Sequence, residues 1–108
     1  MIEKIDEIVK VGLSLDLYRV LSRLFGKRGE KAFRYVVERR VKKYKDFFIV
    51  VGSEEYIVDK NFCTCKDFQI NLKLERPCAH ILAVEIAKRL NVYDYIDAYY
   101  IDFLEVEK

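Results

Sequence analysis

Apolar residues recur every three or four positions through the first 25 residues, which is the spacing of an amphipathic helix. The run is interrupted at Gly12 and Ser14, so the pattern predicts two helices, with Ser14 or Asp16 as the N-cap of the second. Charged residues between Gly26 and Gly29 then predict a turn. The chain therefore opens with two short helices.

The middle of the chain changes from helical spacing to strand patterns. Apolar positions predict a helix to about Val37, and alternation from about Arg39 predicts a strand. Residues 47–51 form a continuous apolar run rich in β-branched side chains, which predicts a buried strand. The turn at 52–54 leads to a returning strand at 56–58.

The last part of the chain reads as a loop and two further helices. Residues 67–75 predict an irregular segment, and 77–90 predict a helix that ends at Asn91 and has Pro77 in its first position. A second helix is predicted over 93–106. Together the patterns predict an α+β fold with N-terminal helices, a small antiparallel sheet, a following helix and a C-terminal helix.

Length and composition limit the class of protein. The chain has 108 residues, 52% of them hydrophobic and 35% charged, which is typical of one soluble globular domain. No stretch approaches the roughly 18 apolar residues that a membrane span needs, and no secretory signal pattern opens the chain. We therefore expect no membrane contact and an intracellular location: cytoplasmic, nuclear or nucleoid-associated.

The net charge of +2 hides an asymmetry. Residues 1–45 carry 13 Lys and Arg against 6 Asp and Glu, whereas residues 46–108 carry 7 against 12. The basic excess is densest between Lys27 and Lys45, where Tyr35 and Tyr44 interleave it, a combination that suits single-stranded nucleic acid. A solvated face, or neutralisation by the acidic C-terminal half, is the alternative. The candidate nucleic-acid contacts are Arg34, Arg39, Arg40, Lys42, Lys43 and Lys45.

All three cysteines and the single histidine lie within residues 63–80. Three cysteines cannot all pair within one chain, whereas three thiolates and an imidazole complete a tetrahedral zinc site. A closed site of this kind is structural and leaves no position for water. We expect Cys63 and Cys65 on extended chain, and Cys78 at the edge of a helix with His80 in its first turn.

Other interpretations of these residues remain open. Three buried, inert cysteines are one, and a disulfide between two of them is another. A nucleophilic pair of Cys78 and His80 is a third, although it leaves two cysteines without a role. Asp67 is a candidate to accept the free ring N–H of His80, or simply to cap the loop.

Four stretches of the sequence then resemble the SWIM zinc finger, whose ligand pattern is C-x-C, a variable gap and C-x-H. They are FIVVG at 48–52, YIV at 56–58, CTCKDF at 63–68 and PCAHILAV at 77–84. The segment RGEKAF at 28–33 is similar to the lead-in often seen before the finger. The resemblance implies a ββα architecture and structural Zn²⁺ held by Cys63, Cys65, Cys78 and His80.

The resemblance covers residues 28–90, so we expect one domain over 1–108 with helical segments at 1–26 and 92–108 on either side. Ala79 stands where family members often have Lys, which removes a cation from beside the metal. Because the cluster itself carries about −1, the finger is not well suited to hold phosphate by itself.

SWIM modules serve as interaction modules for nucleic acid or protein, so the resemblance implies a binding protein rather than an enzyme or a protein with a small-molecule substrate. A small, stand-alone member is similar to those that accompany recombinase-like ATPase paralogs in homologous recombination. The expected function is thus a protein adaptor in DNA repair, with direct nucleic-acid binding as the alternative. Five aromatic residues within 93–103 favour a protein interface, or a helix that closes the core.

Overall fold

In the computed structural model, which describes residues 2–72 and 77–105, helices precede a five-stranded sheet and one long helix follows the Cys/His cluster. The helices are α1 (Ile2–Ile8), α2 (Leu15–Phe25), α3 (Lys27–Val37), α4 (Ala79–Leu90) and α5 (Tyr100–Glu105). A 3₁₀ turn (Val9–Val11) follows α1, and a π-helical segment (Asp67–Leu72) precedes α4. The strands are β1 (Val41–Lys43), β2 (Phe48–Val51), β3 (Glu55–Asp59), β4 (Phe62–Cys63) and β5 (Asp94–Tyr95).

The N-terminal helices form where the pattern predicts them. Ser14 is the N-cap of α2, and its hydroxyl oxygen accepts the N–H of Leu17 at 3.3 Å. The turn predicted at 26–29 is wrong, because α3 begins directly after Gly26, whose φ of +61° reverses the chain. Gly29 instead lies inside α3, buried against the backbone of α2.

The sheet has the order β4-β3-β2-β1-β5. Its first four strands pair antiparallel, as predicted, and the hairpin between β2 and β3 places Val50 opposite Tyr56. The fifth strand is a departure: β5 pairs parallel to β1, with Lys42 opposite Asp94. The sheet is therefore mixed rather than purely antiparallel.

Helix α4 forms the centre of the fold, since every residue from Ala79 to Ala87 is buried. It packs against α3, α1 and the strands, which explains why the residues from Ala79 to Ala87 are apolar apart from His80 and Glu85. Asn91, in the left-handed conformation, ends it as predicted. Pro77 is not its first residue, because Cys78 is the N-cap and Ala79 begins the helix.

The helix predicted over 93–106 is wrong in its first half. Residues 94–95 form β5, and only Tyr100–Glu105 are helical, while residue 106 lies outside the described part of the chain. The irregular segment predicted over 67–75 contains a π-helical segment at its start, and residues 73–75 are likewise outside the described part. Residues 94–95 form a strand because they pair with the distant strand β1.

Candidate metal centre

The four predicted ligands arrive from two elements and meet in one buried cluster. Cys63 is the last residue of β4 and Cys65 follows it by two residues, while Cys78 caps α4 and His80 lies in the first turn of that helix. Their ligand atoms all lie within 4.8 Å of one another. The structure thus assembles the set of donors that the sequence indicates.

The spacing of these atoms fits zinc. Nδ1 of His80 lies 3.7 Å from Sγ of Cys63 and 3.9 Å from Sγ of Cys78. In a tetrahedral site with Zn–S near 2.3 Å and Zn–N near 2.0 Å, sulfur and nitrogen are separated by about 3.5 Å. Three sulfurs and one nitrogen make a closed set of four ligands, so zinc in this cluster is structural, with Nδ1 as the histidine donor.

Backbone N–H groups point at all three sulfurs. Cys65 donates to Sγ of Cys63 at 3.5 Å, and Phe68 donates to Sγ of Cys65 at 3.3 Å. Ile81, in the first turn of α4, donates to Sγ of Cys78 at 3.5 Å. Such bonds favour the thiolate form that a metal requires.

The pKa values of the three thiols shift in opposite directions. The hydrogen bond with Cys63, helped by His80 and the Ile81 N–H, lowers the pKa of the Cys78 thiol to about 4. The same bond, together with burial, raises the pKa of Cys63, and burial raises the pKa of Cys65. Because zinc binds thiolates, we expect metal binding to release protons from Cys63 and Cys65.

Neighbouring strands hold the first ligand pair in place. Thr64, which stands between the two cysteines, accepts the N–H of Ile57 at 3.0 Å and donates its own N–H to the Ile57 carbonyl at 3.1 Å. Gln69 donates its side-chain amide to the Cys63 carbonyl at 2.8 Å. These bonds fix the C-x-C segment on the edge of β3.

Two tyrosines pack on the His80 ring. Tyr56 from β3 stacks on it with ring centroids 4.0 Å apart, and Tyr35 from α3 lies at 5.3 Å. Sequence reasoning missed both contacts, although YIV beside a ligand pair was a signal for Tyr56. The imidazole is therefore held in orientation by packing as well as by its position on α4.

Asp67 joins the finger to α3. Its carboxylate accepts two hydrogen bonds from the Arg28 guanidinium, at 2.7 and 2.9 Å, and this contact raises the pKa of Arg28. Both residues lie about two-thirds buried, with 38% of the Arg28 side chain and 34% of the Asp67 side chain exposed. Among the described residues no hydrogen bond joins Asp67 to the His80 ring, so a role for Asp67 beside that ring stays a prediction.

Most of the candidate nucleic-acid contacts face carboxylates of the same chain. Asp94 bonds both Arg39 and Lys42, and Asp97 lies 3.3 Å from Lys45. The bonds from Lys42 and Arg39 lower the pKa of Asp94 to about 2. Acidic residues in the segment before α5 thus neutralise part of the basic stretch, which was one of the two alternatives for its charge.

The other three candidates lie in different surroundings. Arg40 bonds Glu38 at 2.7 Å. Lys43 donates to the Tyr44 carbonyl and lies 5.2 Å over the Phe48 ring, whereas Arg34 is exposed on α3. These six cations are distributed over α3 and the β1 region, and four of them are paired with acids.

The geometry defines a small zinc-finger protein in which a closed Cys3His cluster joins a β-sheet to a central helix. The family model described as "SWIM zinc finger" matches residues 47–89, a segment that contains all four ligands. The chain therefore contains a SWIM zinc finger, and the four clustered donors are its ligands.

A relative resembles nearly the whole chain. A protein from Archaeoglobus fulgidus, described as "Uncharacterized protein", is 53% identical over 103 residues. The match covers 95% of this chain and 91% of the relative, so the helical segments on either side of the finger are shared as well. No solved structure matches the chain significantly. None of the described helices has the length and apolar character needed to cross a membrane.

Proposed function

We propose that this protein is a non-enzymatic adaptor that binds another protein through an apolar surface near its C-terminus. Four large side chains in that region leave half or more of their area exposed, between 50% and 59%. We call them the C-terminal apolar surface: Tyr95, Tyr99, Ile101 and Phe103. This exposure is the observation that carries the proposal, because tyrosine and phenylalanine are enriched at the centres of protein interfaces.

The surface stands on an ordered base. Tyr44 packs edge-to-face against Tyr100 and Phe103, with centroids 5.1 and 5.8 Å away. The carboxylate of Asp46 accepts the N–H groups of Tyr100 and Ile101, which fixes the start of α5. Since Phe103 and the start of α5 are already positioned, binding a partner there would cost this protein less conformational entropy.

The chemistry of the chain supports a binding role rather than catalysis. The three cysteines and the only histidine are all in the zinc cluster, whose closed ligand set leaves no position for a substrate. Zinc serves to hold the sheet and α4 together. The SWIM finger is itself a binding module.

The resemblance to small SWIM proteins supports a partner of the recombinase-like ATPase paralog class and a role in homologous recombination. Direct nucleic-acid binding by the residues of the basic stretch has less support, because four of the six candidate cations are paired with carboxylates. That alternative becomes an outcome of the test below.

The test is affinity capture with the zinc-loaded protein from a lysate of the source organism, with and without nuclease, read by mass spectrometry. We expect a defined ATPase to remain bound after nuclease treatment. Ile101→Glu should abolish its capture, because the change buries a charge at the interface. Leu24→Glu makes the same change at an exposed site on α2 and should leave capture intact.

Other outcomes would contradict the proposal. If every captured protein disappears with nuclease, the protein binds nucleic acid directly. If Ile101→Glu and Leu24→Glu capture the ATPase equally well, the C-terminal apolar surface is not the docking site. An ATPase whose capture resists nuclease can then be purified and titrated with this protein at low and high salt. The affinity of an apolar interface should change little with ionic strength.

A further inference from the structure

A cleft of about 400 Å³ lies between α3 and the zinc finger. From α3 it is lined by Lys27, Arg28 and Lys31, and from the finger by Asp67, Ala79 and His80. It is on the finger side of the molecule and shares no lining residue with the C-terminal apolar surface.

The floor of the cleft is the start of α4, a helix of 12 residues. Sγ of Cys78 accepts the N–H of Ile81, and the Cys78 carbonyl accepts that of Leu82. Within the described residues, the N–H groups of Ala79 and His80 have no acceptor. As far as the described residues go, these two donors are unpaired, and they lie with the positive end of the helix dipole beside the cleft.

His80 supplies a separate indication that an acceptor belongs here. Its side chain is buried, with 9% of the residue exposed, and Nδ1 faces the thiols. With Nδ1 on zinc, the ring proton resides on Nε2, which has no hydrogen-bond partner among the residues that the structure describes. Metal-bound histidines almost always donate this second N–H to a carboxylate, a carbonyl or water.

The charges in the cleft match a single negative charge. Arg28 is satisfied by Asp67, whereas Lys27 and Lys31 are exposed and have no ion pair among the described residues. Against these two ammonium groups stands the zinc cluster, with a formal charge of about −1 from three thiolates and Zn²⁺. A monoanion is thus a better complement to the cleft than a chain of phosphates. Further phosphates would need further cations, and Arg39, Lys42 and Lys45 are already paired with carboxylates.

We infer that this cleft binds a carboxylate side chain from an acidic segment of the protein partner. The inference rests on the proposed adaptor function and adds a second, polar contact to the apolar one. The carboxylate accepts from the Nε2 of His80 and the first N–H groups of α4, while Lys27 and Lys31 neutralise its charge. An aspartate or glutamate in a partner loop has the required chemistry.

The experiment titrates the zinc-loaded, ¹⁵N-labelled protein with a fluorescein-labelled, end-capped peptide of repeating Glu-Gly, and with its Gln-Gly counterpart. We expect the Glu peptide to shift the amide signals of Ala79 and His80, and the Gln peptide to leave them in place. Lys27→Gln with Lys31→Gln should weaken Glu-peptide binding roughly fivefold or more in fluorescence anisotropy. Lys10→Gln with Arg19→Gln removes two exposed cations elsewhere and should change the affinity less than about twofold.

A third variant separates binding from folding. Asp67→Asn removes a negative charge from the cleft and weakens the pairing of residue 67 with Arg28. The substitution should therefore strengthen binding of the Glu peptide by roughly threefold. A general loss of structure would weaken binding instead. An unchanged or lowered affinity in folded Asp67→Asn would overturn the inference.

Two further results would also overturn it. One is equal binding by the two double variants, or peptide shifts that are absent at Ala79 and His80. The other is tighter binding of a labelled single-stranded oligodeoxythymidine than of the Glu peptide, provided that the Lys27→Gln, Lys31→Gln double variant no longer binds the oligonucleotide. The cleft would then be a phosphate site.

Failure of this inference is distinguishable from failure of the proposed function. If the ATPase is captured through Ile101 while the Glu peptide does not bind at the cleft, the adaptor role stands and the carboxylate site falls. If the Glu peptide binds at the cleft but no protein survives nuclease treatment, the site stands as an acidic-peptide site and the adaptor proposal falls.

Discussion

The side chain of His80 contacts both the metal cluster and the aromatic packing around it. Its Nδ1 faces the thiols of Cys63 and Cys78, its ring stacks on Tyr56, and its side chain also lines the cleft beside α3. The thiols and the stacked Tyr56 ring both restrain the orientation of the imidazole. Removing the ring therefore removes a ligand and a packing partner at once.

We predict that Cys65→Ala and His80→Ala each lose bound zinc and unfold the region around the finger. Structural zinc contributes apparent binding free energy on the order of 10 kcal/mol, comparable to the roughly 5–15 kcal/mol stability of a small domain. Metal analysis and thermal melting measure both effects, with the exposed neighbour Lys66→Ala as the control. Wild-type zinc content and melting temperature in either variant would refute the ligand assignment.

At the scale of elements, α4 is held at both ends by unusual caps. The sulfur of Cys78 accepts the Ile81 N–H in the place where Ser or Asp would normally do so, and Asn91 closes the other end with φ of +58°. A metal ligand thus doubles as the helix cap. Ligand geometry and helix position are fixed together.

Close contact between α2 and α3 leads to a second prediction. A Cβ built at Gly29 would lie 2.1 Å from the Leu21 carbonyl oxygen, so Gly29→Ala requires the two helices to separate. We expect the free energy of unfolding to fall by about 1–3 kcal/mol in chemical denaturation. Arg34→Ala, at an exposed position on the same helix, should change it by less than about 0.5 kcal/mol. Equal stabilities for the two variants would contradict the contact.

The attachment of β5 to β1 should depend on pH. Lys42 and Arg39 hold the pKa of Asp94 at about 2, below its ordinary value near 3.8, so the folded protein binds this proton less readily than the unfolded chain. The stabilisation is complete above pH ~4 and is lost as the pH falls toward ~2. Asp94→Asn should flatten the dependence of stability on pH in that window, as thermal melts at stepped pH would show. The exposed Asp102→Asn is the control, and identical curves for all three proteins would disprove the role of Asp94.

For the whole molecule, α4 couples the metal to the core. The same helix carries two ligands and contributes nine consecutive buried residues, which pack on α3 and the sheet. We predict that chelation causes one cooperative loss of structure, not a local loosening of the finger. Circular dichroism and the dispersion of the ¹⁵N spectrum should collapse together and recover on adding zinc. A metal-free protein with a dispersed spectrum would contradict this coupling.

The sequence alone determined the local features. The Cys and His count, the SWIM motifs, the N-cap at Ser14 and the strand pair around 52–54 depend on neighbouring residues and short spacings. These are the interactions that periodicity and turn chemistry report. The α+β class and the four zinc donors follow from them.

Tertiary structure decided the rest, because those contacts join residues far apart in the chain. Residues 94–95 became a strand since β1 offered them a free edge, and Asp46 begins α5 from 54 positions upstream of Tyr100. The Arg28–Asp67 pair spans 39 positions, and only the packing of α3 against the finger brings these two residues to the same cleft. Charge along the sequence showed that acids and bases were unevenly distributed; folding determined which of them meet.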